Sequence, residues 1–277
     1  MRLAQFAAGS VSLLMLLVSQ GTAAPGAPNL LAHRAVYDLD LGDATEKSGV
    51  VGVAGRIVYQ FTGSSCEGYQ TNYRFVSRMT LQESQRTNDY QITTFEDGQG
   101  KDFNFVTKFF VDDQLDKETK GAATVGGAGM DVQLQKPDIA EVDLPKSNFP
   151  TQHTIELIEK AKAGENFYET TIYDGSDDGD KVMTTTVIIG KETKSKDTDP
   201  EYAALKSMQG DSYWPVSIAY FDMNKEDGEE VPDYAISFKL YANGLTRDLV
   251  MSYGQFSIKA KLVGLEMLDQ KQACRPN

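Results

Sequence analysis

Alternation with a period of two, sustained through most of the chain, constrains this sequence more than any other feature. In HRAVYDLDL, Ala35, Tyr37, Leu39 and Leu41 fall on one side and Arg34, Asp38 and Asp40 on the other. GRIVYQF sets Ile57, Tyr59 and Phe61 against Arg56 and Gln60. YQTNYRFVSRMTL sets Tyr69, Tyr73, Phe75, Met79 and Leu81 against Gln70, Asn72, Arg74 and Arg78. DFNFVTKFFVD continues the pattern with Phe103, Phe105, Phe109 and Val111. Later runs place Met183, Thr185, Val187 and Ile189 on one face, then Tyr234, Ile236, Phe238 and Leu240, then Phe256, Ile258, Ala260 and Leu262. A strand points successive side chains to opposite faces, so these runs predict antiparallel sheet with one packed and one wet face. Asp97-Gly98, Asp174-Gly175, Asp178-Gly179, Asp227-Gly228 and Asn243-Gly244 punctuate them as turns. Gly126-Gly127-Ala128-Gly129 reads as a longer, looser loop. The expectation is a mainly β fold of about a dozen or more strands.

One segment breaks the rhythm. FPTQHTIELIEKAKAGENF carries Ile155, Ile158 and Ala161 three apart, with Leu157 widening the stripe. This spacing predicts a helix over about 151–163, with Thr151 as N-cap and Gly164 as its stop. A helix this short needs its apolar face packed, here on the sheet. No repeat, low-complexity linker or shift in composition divides the chain, so one domain, 25–277, is expected after the amino-terminal segment.

That segment, MRLAQFAAGSVSLLMLLVSQGTAA, begins with Arg2, runs apolar from about Leu3 to Val18, and ends on Gly21, Thr22, Ala23 and Ala24. It reads as a signal peptide, 1–24, cleaved after Ala23 or Ala24. Broken by Gly9, Ser10 and Ser12, the run falls short of the ~20 apolar residues a spanning helix needs. An exported protein that is not integral to the membrane is expected. Losing Arg2 and no acid takes the net charge from −13 to −14. A surface that acidic repels phosphate backbones, which argues against nucleic acid as a partner.

Export places the two cysteines, Cys66 and Cys274, in an oxidising compartment, where a disulfide is their simplest use. The bond would close a loop of about 208 residues and bring the carboxyl-terminal tail against the first third of the chain. A reactive thiol is the rival reading; no CxxC and no His beside either Cys supports it.

For chemistry the chain offers little. In YDGSDDGDKVMT, Asp174, Ser176, Asp178 and Asp180 sit at ligand positions of a calcium loop, with Gly179 between. The twelfth position is Thr185 where a bidentate Glu is required, and the flanks read as strands. An acidic hairpin tip is the expected account, weak divalent binding the alternative. His33 and His153 are too few for a three-histidine zinc site and carry no His–Cys spacing. No GxSxG, Walker loop or GxGxxG occurs. Trp214 and Pro215, in SYWPVSIAYFD, read as part of a core strand with the proline on an edge side. No enzyme, cofactor or resident metal is expected.

Together LLAHRAVYDLDL, GRIVYQFTGSSCEGY, TIYDGSDDGDKV, YWPVSIAYFD and NGLTRDLVMSYGQFSIKAKLVGLEML with the terminal Cys resemble the EipB family of periplasmic cell-envelope integrity proteins. The likeness runs from about Leu30 to Cys274 in the same order. It implies a β-spiral, an incompletely closed antiparallel sheet with one packed helix, and a disulfide at Cys66 and Cys274. It also implies a non-enzymatic role in envelope homeostasis in the periplasm, with a TPR-repeat protein as a partner. The family offers no catalytic residues to carry over. A curled, unclosed sheet lined by Phe and Tyr suggests a second reading, a carrier of lipid or lipoprotein acyl chains.

Overall fold

The computed structural model describes residues 28–127, 129–222 and 231–269. The expected signal peptide, the Asp227-Gly228 turn and Cys274 all lie outside the described residues. Within them, the alternating runs become β1 (His33–Ala44), β2 (Val50–Ser64), β3 (Gly68–Leu81), β4 (Gln85–Glu96), β5 (Asp102–Val111), β6 (Gln114–Val125), β7 (Met130–Lys136) and β8 (Ala140–Leu144). The helix α1 (Pro150–Ala163) follows, and then β9 (Phe167–Ile172), β10 (Met183–Ile189), β11 (Thr193–Lys194), β12 (Ser212–Phe221), β13 (Tyr234–Tyr241), β14 (Thr246–Ser252) and β15 (Phe256–Met267). Two 3-10 segments, Glu46–Ser48 and Tyr202–Met208, interrupt the strands.

All fifteen strands join one antiparallel sheet. Its order runs β8 to β1 in reverse sequence, then β15, β14, β13, β12, β10 and β9, with β11 beside β12. The first strand and the last therefore pair at the centre, and β8 and β9 form the two margins. The sheet curls without closing into a barrel. Its margins approach where Asn148 bridges Ile172, and where the Asn148 and Tyr173 N–H groups donate to Thr171 and Asn148 carbonyls.

Cross-strand register holds the alternation in place. Tyr37 faces Ile57 on β2 and Leu262 on β15, and Ile57 faces Phe75 on β3. These inward residues are buried, while Arg56–Asp38 and Arg74–Asp89 pair across the outer face. Burying one row and solvating the other fixes which way each strand faces, because a slip of one residue would exchange the two.

Helix α1 starts one residue earlier than the sequence suggests. Phe149 is its N-cap, Pro150 takes the first helical position, and Thr151 lies buried in the first turn. Proline suits that position because its fixed φ is helical and its missing N–H needs no partner. At the other end Gly164 takes φ 79° and donates to the Ala161 and Lys160 carbonyls, as expected. The apolar stripe Ile155, Leu157, Ile158 and Ala161 packs on Phe61, Tyr69, Val187 and Trp214. Helix α1 thus stoppers one end of the curl.

Pro215 sits within the sheet, not on its margin. Its carbonyl accepts from the Gly190 N–H at 2.7 Å, so its own nitrogen points to the same side. There β10 has ended at Ile189 and β11 has not begun, and the missing donor falls in that gap.

Candidate functional site: an aromatic cup

The inward-facing rows change character along each strand. On β4 they run from buried Glu96 through half-buried Thr94 and Ile92 to Tyr90, which is 38 % exposed. On β5 they run from buried Phe103 and Phe105 to half-buried Thr107 and Phe109. On β12 and β13, Val216, Ile218 and Leu240 are buried, whereas Tyr220, Ile236 and Tyr234 are only partly so. Near α1 the inward rows are buried; toward the far end they are partly exposed. The sheet therefore forms a cup, with the helix and the Phe103–Phe105–Phe149–Tyr173 cluster as its floor.

The floor is set by Glu96. Its carboxylate accepts the Thr151 N–H at 2.7 Å and the Gln152 N–H at 2.9 Å, satisfying two of the orphan donors of α1 from a different element. Burial pushes its pKa up to about 7, against the hydrogen bonds from the Thr151 and Gln152 N–H groups and the Thr151 side chain that oppose the shift. His153, in the same turn, is also buried; its Nε2 lies 3.4 Å from Thr185 Oγ1, and burial pulls its pKa down to about 4. His33 is buried on β1, its Nδ1 2.7 Å from the Leu31 carbonyl and its ring beside Tyr59 and Phe61. Burial lowers its pKa as well. Thr185, the hydroxyl nearest His153, is fully buried.

These two floor groups tilt the pH dependence of stability in opposite directions. Folded Glu96 holds its proton more tightly than unfolded Glu96, so its contribution is full below about pH 4.5 and is lost as pH rises through about 7. His153 behaves oppositely: its contribution is full above pH 6.5 and is lost as pH falls through about 4. In the overlap the two slopes offset. Glu96→Gln is expected to make stability rise more steeply with pH across that window, and His153→Phe to make it fall. Urea midpoints measured across the window check this, and two variants with the wild-type slope would refute it.

The acidic hairpin tip between β9 and β10 turns out to be a structural clasp. The Asp174 carboxylate caps the Ser176 N–H, Asp178 pairs with Lys117, and Lys181 bridges Asp177 and Asp222. The Thr119 hydroxyl donates to the Asp177 carbonyl, and the Tyr173 hydroxyl to that of Gly179. Gly175 has φ 68°, and a Cβ there would lie 2.5 Å from the Phe105 ring, so only glycine fits. Among the described residues no group of three His, Cys, Asp or Glu side chains is placed to hold a metal. Asp174, Ser176, Asp178 and Asp180 are thus not gathered into a calcium loop.

Cys66 lies exposed in the turn joining β2 to β3, and among the described residues no cysteine is free. Also among them, no helix is long and apolar enough to cross a membrane. The cup itself was only half visible in the sequence: the alternation marks its lining, but not where the interior stops being filled.

Comparison with known proteins agrees with this architecture. The model of the EipB-like family matches residues 24–269. The cell envelope integrity protein EipB of Brucella abortus (strain 2308) is 48 % identical over 269 residues, covering 97 % of this chain and 95 % of that protein. The crystal structure of a β-barrel-like protein of a domain of unknown function, also from Brucella abortus, superposes with a TM-score of 0.83 at 50 % identity. It covers 88 % of this chain and 100 % of that one.

Proposed function

The chain belongs to the EipB-like family, and from that membership we propose that it supports cell-envelope integrity from the periplasm by binding, without catalysing a reaction. The observation that carries the reading is the open aromatic cup on a scaffold whose two histidines are both sequestered. Neither imidazole meets an accessible nucleophile, so histidine-assisted nucleophilic chemistry finds no starting point among the described residues. The expected partner is a protein, including a TPR-repeat protein of the periplasm. The signal segment 1–24 and the Cys66–Cys274 bond belong to the same proposal, since both presuppose export.

Deleting the gene is expected to sensitise cells to detergents and to cell-wall antibiotics, with wild-type resistance restored by the gene in trans. Plating efficiency on graded deoxycholate and ampicillin measures this. A clean deletion with unchanged resistance and no second copy would contradict the proposal. The openness of the cup also favours a second reading, carriage of acyl chains. Mass spectrometry of protein purified without detergent separates the two, since a carrier would bring lipid with it.

A further inference from the structure

Where β14 and β15 part, the outer face of the sheet holds a crevice of about 200 Å³. Its walls are Asp40 on β1, the stretch from Asp199 to Glu201, Asp248 on β14 and the two lysines Lys259 and Lys261 on β15. Sites for drug-sized ligands run to ~300–1,000 Å³, so an occupant here is smaller than those. A bulge shapes one wall. Ser237 pairs with Val250 and Lys239 with Arg247, so Asp248 and Leu249 together oppose the single residue Phe238. Asp248 takes φ 52°, a left-handed conformation uncommon for residues other than glycine. Its N–H donates to Glu201 Oε1, while its carboxylate turns to the Lys239 ammonium at 2.9 Å. Bulges re-aim side chains in this way, often beside functional sites.

Most charges around the crevice are already matched. Asp199 Oδ1 accepts the Glu201 N–H, and its Oδ2 meets both Lys239 and Arg247. Glu201 commits one oxygen to Arg247 and the other to the Asp248 and Leu262 N–H groups. Three groups stay open. The Lys259 and Lys261 ammoniums and the Asp40 carboxylate make no hydrogen bond or ion pair with any described residue. Lys259 stands directly opposite Asp40, and Lys261 follows on the same face about 7 Å along the strand. The crevice therefore presents both signs of charge across one strand spacing.

We propose that this crevice binds a small zwitterion, a free amino acid or dipeptide, with its carboxylate between Lys259 and Lys261 and its ammonium on Asp40. A lone anion in the same space would meet Asp40 and Asp248, and a lone cation would meet the two lysines. A molecule carrying a carboxylate and an ammonium satisfies both walls through charge-assisted hydrogen bonds. The site lies on the outer face, apart from the cup, and does not depend on the protein-binding reading above.

Isothermal titration calorimetry of the intact protein with alanylalanine, its N-acetyl form and its amide tests this. Alanylalanine is expected to bind roughly tenfold or more tighter than either blocked form, since each lacks one charged contact. Lys259→Met combined with Lys261→Met should weaken alanylalanine by roughly tenfold or more, and Asp40→Asn should bring it level with the N-acetyl form. All three side chains are exposed, so the circular dichroism spectrum and urea midpoint should not change. Lys162→Met, at an exposed lysine of α1, should leave binding as it is. The three probes compared on the wild type keep the test open should a substitution disturb the fold. Equal binding of all three, no heat of binding at millimolar alanylalanine, or indifference to the variants would overturn the proposal. Tighter binding of the N-acetyl form would overturn it in favour of a simple anion.

Discussion

Glu201→Ala is expected to cost about 3–5 kcal/mol and to part the sheet along one line. Strands β14 and β15 pair only from Leu249–Ala260 to Ser252–Ser257 and then diverge. Into the opening comes the Tyr202–Met208 segment, whose Leu205 and Met208 are buried against Leu262 and Leu265. Hydrogen bonds that the strands no longer exchange are made by side chains instead. Glu201 Oε1 accepts the N–H of Asp248 on β14 and of Leu262 on β15, and the Lys206 ammonium donates to the Leu265 carbonyl. Glu201 Oε2 takes Arg247 Nη1 at 2.8 Å, and Arg247, fully buried, also donates to the Tyr241 and Ser195 hydroxyls and pairs with Asp199.

Alanine at position 201 would leave two backbone donors and part of a buried guanidinium without acceptors, and each such loss costs the full desolvation of the group. Glu201→Gln keeps the volume and one acceptor, so a smaller loss is expected. Urea unfolding measures the energy, and hydrogen exchange at the Asp248 and Leu262 amides locates it. A loss under about 0.5 kcal/mol, the size of an ordinary surface change, would show that the seam is held by packing alone.

That seam was not legible in the sequence, for a physical reason. Alternation reports which side chains face inward, and it placed Tyr37, Phe75, Phe103, Val187 and Leu262 correctly because burial is decided strand by strand. Long-range polar repairs carry no local signal: Glu201 meets Leu262 across 61 positions, and Glu96 meets Thr151 across 55. The start of α1 was misread for the same reason, since its cap comes from Glu96 and not from Thr151. Gly126, Gly127 and Gly129 lie, as expected, in a connection, which joins β6 to β7 where Val125 faces Met130. The open cup depends on where α1 stops filling the curl, a property of the assembled sheet and not of any segment.

Cys66→Ser and Cys274→Ser should each destabilise the protein by up to about 5 kcal/mol, the chain-entropy value for closing a loop of about 208 residues. The sheet makes the bond reachable. β15 and β2 flank β1 and run the same way, so Met267 and Phe61 lie level, both opposite His33. From there β2 continues to the turn that holds Cys66, five residues on and two strand spacings across, a gap of at most about 20 Å. The seven residues from Met267 to Cys274 extend to about 23 Å, enough to cover it. The bond would fasten the tail to the turn beside the central pairing of first strand and last, so its loss should loosen β15 and β1 before the margins. Since either serine removes the same bond, the double variant is expected to be little worse than each single one. Denaturant unfolding of the three variants measures this, with thiol titration of the oxidised wild type as the direct check. Two titratable thiols in the folded wild type, or losses that add, would mean that the two sulfurs serve separate purposes.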